Sequence, residues 1–266
     1  MGKNKLKKFA EMEDLHFVFQ YPWARLEAEG FHLRGFWHDV FFANHNPIVL
    51  ELGCGKGEYT VELARRNPDK NFIGVDIKGA RMWSGATAAN REGLKNVAFL
   101  RTDIELVDRF FAPGEVDEIW ITFPDPQMQK TRKRLTSTRF LELYRHIASD
   151  GARINLKTDS PFLYTYTRRL IGLNGFGILA DTADLYGSGV ADPVSSIKTY
   201  YEQQWLARGK KIKLLSWKLP AEGELAEPRE DDIERDDYHS YARGVAQCMP
   251  EELAKLALTN NESTDN

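Results

Sequence analysis

Residues 47–68 read PIVLELGCGKGEYTVELARRNP, and their pattern decides the fold. Ile48 to Leu52 is a short apolar run of the length of one buried strand, and Gly53 follows it. Beyond the glycines at 53, 55 and 57, the apolar residues Tyr59, Val61, Leu63 and Ala64 recur at helical spacing until Pro68. A strand, a glycine turn and a helix make the first half of a βαβ unit. Glycine there lets the backbone turn sharply and approach a ligand closely.

The spacing of the glycines narrows the ligand. The nicotinamide-nucleotide fingerprint G-x-G-x-x-G would place its third glycine at 58, where this chain has Glu58. A negative charge at a helix start opposes a pyrophosphate. The observed G-x-G-x-G, directly after Glu51, suits a nucleoside without phosphate, such as S-adenosylmethionine. A plain strand-to-helix turn uses glycines in the same way, so the loop alone leaves both readings open.

The alternation continues down the chain. NFIGVDI, NVAFLRTD, VDEIWITFPDP and ARINLKTD read as further strands. GARMWSGATAANREG, TSTRFLELYRHIAS and SPFLYTYTRRLIGLNG read as helices, and residues 196–219 as a short helix with a closing strand. Strands alternating with helices predict an α/β fold with a doubly wound, mostly parallel sheet of Rossmann-like type. Pro124 and Pro126 end the fourth strand, because a central strand does not admit them. Residues 1–45 are expected to be a lysine-rich, mobile tail and an aromatic-rich cover, residues 46–219 the main domain, and residues 220–266 an acidic extension. Within that extension PEELAKLALT reads as a helix and TNNESTDN as a disordered end.

The strand ends carry acids. Asp76, about twenty residues after the glycine loop, is placed to accept two ribose hydroxyls. Asp103 ends the next strand, within reach of an adenine amino group, and Glu51 can meet the charged amino-acid part of the same ligand. A lone strand-end aspartate also reads as a helix N-cap. Three acids on three successive strands favour one shared ligand. Asp125 follows, held between two prolines in FPDP, and then Asp159 in Lys157-Thr-Asp159.

This ordered set (ELGCGKG, GVDIK, RTD, FPDP with a basic run, KTD and Thr199-Tyr-Tyr-Glu202) resembles the bacterial tRNA (guanine-N7)-methyltransferases, from about Pro47 to Leu219. The resemblance implies a class I methyltransferase that moves a methyl group from S-adenosylmethionine to N7 of a guanosine in the variable loop of tRNA. It implies that Glu51, Gly53, Gly55, Gly57, Asp76 and Asp103 bind the methyl donor and that Asp125 is catalytic. Lys130, Asp159, Thr199 and Glu202 then hold the substrate. The family pattern has a Trp after PDP and a lysine four positions after the Asp. This chain has Gln127 and Gln129 there, so Lys130 is read as the substrate lysine. Asp125, Asp159 and Glu202 are expected to share the donor-bearing Watson–Crick edge of the guanine. Arg132, Lys133 and Arg134 are expected to follow RNA phosphates, because cations at a helix start are misplaced unless a partner answers them.

Charge and composition fit this reading. The net charge of −3 conceals nine acids against two arginines between Glu222 and Asp237, which leaves the rest of the chain at +4. Two cysteines, Cys54 and Cys248, make no disulfide framework, and a cytoplasmic location is expected. The six histidines show no metal-ligand spacing, and no apolar run reaches membrane length. Two other classes share the pattern. A nicotinamide dehydrogenase is disfavoured by Glu58, and a non-catalytic RNA scaffold by the complete set of acids.

Overall fold

The computed structural model describes residues 3–236. In chain order the elements are α1 (Lys3–Glu13), β1 (Val18–Gln20), α2 (Trp23–Glu29), β2 (Ile48–Leu52), α3 (Glu58–Arg66), β3 (Asn71–Val75), α4 (Gly79–Glu92), β4 (Val97–Arg101), β5 (Val116–Thr122), α5 (Thr138–Arg145), β6 (Ala148–Thr158), α6 (Pro161–Leu173), β7 (Ile178–Thr182), α7 (Tyr200–Ala207) and β8 (Lys213–Leu219). The strands form one sheet in the order β1-β4-β3-β2-β5-β6-β8-β7. β1 to β6 pair in parallel, and β8 inserts antiparallel between β6 and β7.

The near-continuous apolar character of the central strands follows from burial on both faces. Leu50, Ile73, Leu100, Ile121 and Ile154 point into one hydrophobic layer. Val49, Phe72, Phe99 and Trp120 point into the other, shared with Tyr59, Val61 and Leu63 of α3 and Met82 of α4. From β2 the chain builds outward to β3 and β4, then crosses back to β5 and builds the other way. The strand order therefore reverses between β2 and β5, and ligands in such sheets bind at the carboxyl ends beside that switch.

The amino-terminal segment departs from the expected mobile tail. α1 packs on α4: Glu11 accepts from Trp83 Nε1 at 2.6 Å, and Lys8 lies 4.4 Å over the Trp83 ring. β1 adds a parallel strand to β4 with Val18 opposite Phe99. Trp37 is fully buried in a π-helical turn (Trp37–Phe42), stacks on Phe111 and donates to the Phe110 carbonyl.

The acidic extension is not detached over its described part. Residues 220–236 run back across α5 and α6, and their carboxylates meet specific donors. Glu227 accepts from the Thr138 amide and hydroxyl at the start of α5 and from the Tyr166 hydroxyl. Asp236 accepts from the Phe162 amide and the Ser160 hydroxyl at the start of α6. Asp232 pairs with Arg169, and Ile233 is buried. Acids suit this strap because each helix N-terminus offers unpaired amides and a positive dipole end. The helix and disordered end expected further on lie outside the described residues, as does Cys248. Among the described residues no helix is long and apolar enough to cross a membrane.

Candidate active site

β2 and β5 carry the residues on either side of the switch point. Between their carboxyl ends lies a cleft of about 450 Å³ lined by Glu51, Gly53, Cys54, Gly55, Asp76, Thr122, Phe123, Thr199, Tyr201 and Trp205, among others. That volume lies within the range of small-molecule sites, about 300–1,000 Å³. Gly53 and Gly55 have φ of +80° and +56°, and a Cβ on Gly53 would meet no atom within 4 Å. Side chains there would be strained, and they would fill ligand space rather than strike the protein. Gly57 has a different duty: its missing Cβ would lie 2.6 Å from the Phe99 ring.

Asp76 is aimed by the backbone. Its carboxylate accepts from the Gly55 amide at 2.9 Å and the Lys78 amide at 2.6 Å. Lone pairs remain for ribose hydroxyls. Glu51 is buried; one oxygen accepts from the Thr60 amide and hydroxyl, the other from the Thr122 hydroxyl at 2.7 Å. None of these partners is a cation. Burial pushes the Glu51 carboxyl up to about 7, although the three hydrogen bonds pull the other way. A buried carboxylate without a counter-ion, lining a cleft, fits a ligand that brings an ammonium group. Asp103 ends β4, is exposed, and accepts from the Glu105 amide at 3.1 Å as the cap of a 3₁₀ helix (Ile104–Arg109). It is not among the residues lining the cleft, and it follows the strand that pairs with β3, the strand before Asp76. Cys54 is buried, and desolvation pushes its thiol well above the ordinary range, as suits packing rather than nucleophilic attack.

The FPDP turn leaves β5 directly beside this cleft. Phe123 and Gln127 adopt φ of +49° and +48°, which non-glycine residues rarely do. Asp125, between them, is exposed, and its Oδ1 accepts from the Gln127 amide at 3.0 Å. The Phe123 amide bonds the Lys157 carbonyl at 2.8 Å and ties the turn to β6. Asp159, at the end of β6, opens into a neighbouring basin with Lys210, Lys211, Lys213 and Asp236 rather than into the cofactor cleft. Its carboxyl is raised by burial and lowered in part by Lys210.

Several expected site residues have other partners. Glu202 is fully buried; it binds Lys157 Nζ at 2.8 Å and the Tyr186 hydroxyl at 2.5 Å, and so has no free edge for a guanine. Lys157 also donates to the Ser195 and Ile197 carbonyls, and burial lowers its ammonium to about 8. Lys157 thus fastens the segment whose Thr199 and Tyr201 line the cleft, a role the sequence reading missed. The visible signal was a lysine between Leu156 and Thr158 at the carboxyl end of a strand. Thr199 caps α7 by accepting from the Glu202 amide. Glu58 accepts from the Tyr200 amide at 2.7 Å, so the residue that argued against a nicotinamide nucleotide also joins α7 to the glycine loop.

The basic run divides as well. Lys130 and Arg132 are exposed. Lys133 and Arg139 both bind Glu105, and those two cations hold its carboxyl down to about 2. Arg134 has no exposed surface, pairs with Glu230 at 2.6 Å, and lies 4.0 Å over the Tyr166 ring. It is therefore unavailable to RNA phosphates. The misplacement of positive charge near the start of α5 is answered in part inside the chain, by Glu105 and Glu230.

An open, mostly parallel sheet with a glycine loop, a strand-end aspartate and a buried glutamate bonded to no cation at its switch point is the arrangement of a class I S-adenosylmethionine-dependent methyltransferase. Comparison with known proteins agrees. Residues 45–215 match the sequence profile of a family described as "Putative methyltransferase". The fold resembles that of the 16S rRNA methyltransferase KamB, with a TM-score of 0.53 at 15% identity over 76% of this chain and 95% of that one. A tRNA (guanine-N(7)-)-methyltransferase of Bacteroides fragilis is 59% identical over 91% of this chain and 96% of its own length. That of Porphyromonas gingivalis is 61% identical over 90% of this chain and 100% of its own length. The chain belongs to the tRNA (guanine-N7)-methyltransferase family.

Proposed function

We propose that the cleft and the FPDP turn together carry out the family's reaction, methylation of guanine N7 in tRNA, on a guanosine of the variable loop in the cytoplasm. The observation that carries the division of labour is the Glu51–Thr122 hydrogen bond. It joins the cofactor side of the switch point to the strand that, three residues later, presents Asp125.

S-adenosylmethionine supplies a methyl group on a positively charged sulfur. Glu51 takes the ammonium of its amino-acid part, Asp76 the ribose hydroxyls and Asp103 the adenine edge, while Gly53, Gly55 and Gly57 leave room for the backbone to approach. Guanine N7 has an in-plane lone pair and no proton at neutral pH, so the displacement needs no general base. What the protein must contribute is alignment, for which effective-molarity arguments allow roughly 7–11 kcal/mol. The base becomes cationic as the methyl arrives, and a fixed carboxylate beside it stabilises that charge. Asp125 fills this role, held stiffly by its prolines. Asp125 and Asp159 also suit the N1–H and 2-amino donors of guanine, a pair that adenine lacks. Lys130 and Arg132 follow the RNA backbone, and Thr199 with Tyr201 closes the cleft from the α7 side.

Incubating the protein with labelled S-adenosylmethionine and unmodified tRNA, then digesting the RNA to nucleosides, tests the proposal. Label in 7-methylguanosine is expected. Label in another nucleoside, or none, would remove the guanine-N7 assignment.

A further inference from the structure

We propose that Arg134 and Glu230 are positioning residues for Asp125, so that the acidic segment after β8 completes the catalytic turn. The profile match ends at residue 215, and Glu230 lies beyond it. Its side chain nevertheless reaches the turn through one buried guanidinium.

The contacts form a short chain. Arg134 Nε donates to the Pro126 carbonyl at 3.1 Å, and its Nη2 to the Gln127 carbonyl at 3.1 Å. These are the two residues after Asp125. The Gln127 amide is in turn held by Asp125 Oδ1. Gln127 is therefore gripped at both ends of its peptide, at a backbone angle that its side chain disfavours. Arginine suits this task because its planar fork offers donors in fixed directions, which the single ammonium of lysine does not. The third arm, Nη1, binds Glu230 at 2.6 Å, and Thr131 donates to the other oxygen of that carboxylate at 3.1 Å. Phe162 and Tyr166 cover the guanidinium. A guanidinium so enclosed keeps its place only while its charge is answered. Without Glu230 it would turn toward water and release the two carbonyls, and the turn would lose what fixes the direction of Asp125.

This inference rests on the reading that Asp125 acts on the guanine, and the test separates the two. Turnover on tRNA is measured for Glu230→Ala and Arg134→Lys, expressed per S-adenosylmethionine-binding site so that only folded protein is counted. Exchange of the Gln127 amide is followed in the same samples by NMR. Both variants are expected to lose about 10- to 100-fold in kcat with donor affinity unchanged, and Gln127 exchange is expected to quicken. Asp232→Asn breaks the strap's ion pair to Arg169 without touching Arg134, and serves as the control that keeps wild-type turnover. Where Glu230→Ala does not fold, Glu230→Gln, which keeps an acceptor for Arg134, takes its place with a smaller loss expected. Turnover per site within about twofold of wild type in both variants would overturn the inference, as would unchanged Gln127 exchange. If Gln127 exchange responds but Asp125→Asn keeps full turnover, the mechanical link stands and the catalytic reading of Asp125 falls.

Discussion

Glu51 sits among hydroxyls and amides with no cation bonded to it, and its carboxyl titrates at about 7 instead of 4.5. Burial is the main cause, and the sign of its consequence follows. The folded state holds this proton more tightly than the unfolded chain, so the unliganded protein loses stability as pH rises from 4.5 through about 7. The cost approaches about 3 kcal/mol at the upper end. A ligand with an ammonium group needs the ionised form. S-adenosylmethionine affinity should therefore weaken as pH falls below about 7, toward about tenfold per pH unit, with a proton released on binding. Calorimetry at about pH 6 in two buffers of different ionisation enthalpy reads that proton directly. Affinity that stays flat across the window, or is no flatter in Glu51→Gln, would take Glu51 away from the ammonium. Asp125 offers a second test at this scale. Asp125→Ala should lower kcat by about 100-fold or more while donor affinity stays put. Near-normal turnover would end its catalytic assignment.

At the scale of elements, the basic run after β5 behaves as two groups. Lys130 and Arg132 are exposed, whereas Arg134 is enclosed by Phe162, Tyr166 and Glu230. Replacing Lys130 or Arg132 by alanine should weaken tRNA binding and reduce the slope of log K against log salt by roughly one for each phosphate no longer neutralised. Arg134→Ala should instead destabilise the fold by about 2–4 kcal/mol, because it leaves two carbonyls without their donor and Glu230 without its counter-ion. A thermal scan beside a salt titration of each variant tells the groups apart, and an unchanged slope for both surface cations would remove them from the RNA path. The same contrast shows what the sequence could and could not tell. The strand-end positions of the glycine loop, Asp76 and Asp125 were legible because their partners lie within a few residues or at the next strand end. Arg134 was not, because its counter-ion is 96 positions away. Glu202 misled for the same reason, since its partner Lys157 lies 45 positions earlier. The alternation of β2 through α6 was legible because two-sided burial writes long apolar runs. β7 was missed: Ile178 and Leu179 are 48% and 47% exposed at the sheet edge, so the strand carries no burial pattern. β1 has only three residues.

At the scale of the whole molecule, the strap makes residues 220–236 part of the folding unit rather than an appendage. Glu227 and Asp236 cap α5 and α6 from outside those helices, and Glu230 neutralises a charge buried in the body. Each cap is worth about 1 kcal/mol, and stranding Arg134 costs about 2–4 kcal/mol more. A chain ending at Leu219 would lose all three together with the burial of Ile233. The two caps and Arg134 alone should lower its stability by about 4–6 kcal/mol, and its Tm by about 8–24 °C at the 2–4 °C per kcal/mol typical of this size. The glycine loop and Asp76 lie on β2 and β3, away from α5 and α6, so at low temperature the shortened chain should still bind S-adenosylmethionine. Scanning calorimetry of the two lengths, with and without the methyl donor, gives both numbers. If the truncated chain melted at the same temperature as the full one, the strap would be a surface passenger, and its acids would need a role outside the fold.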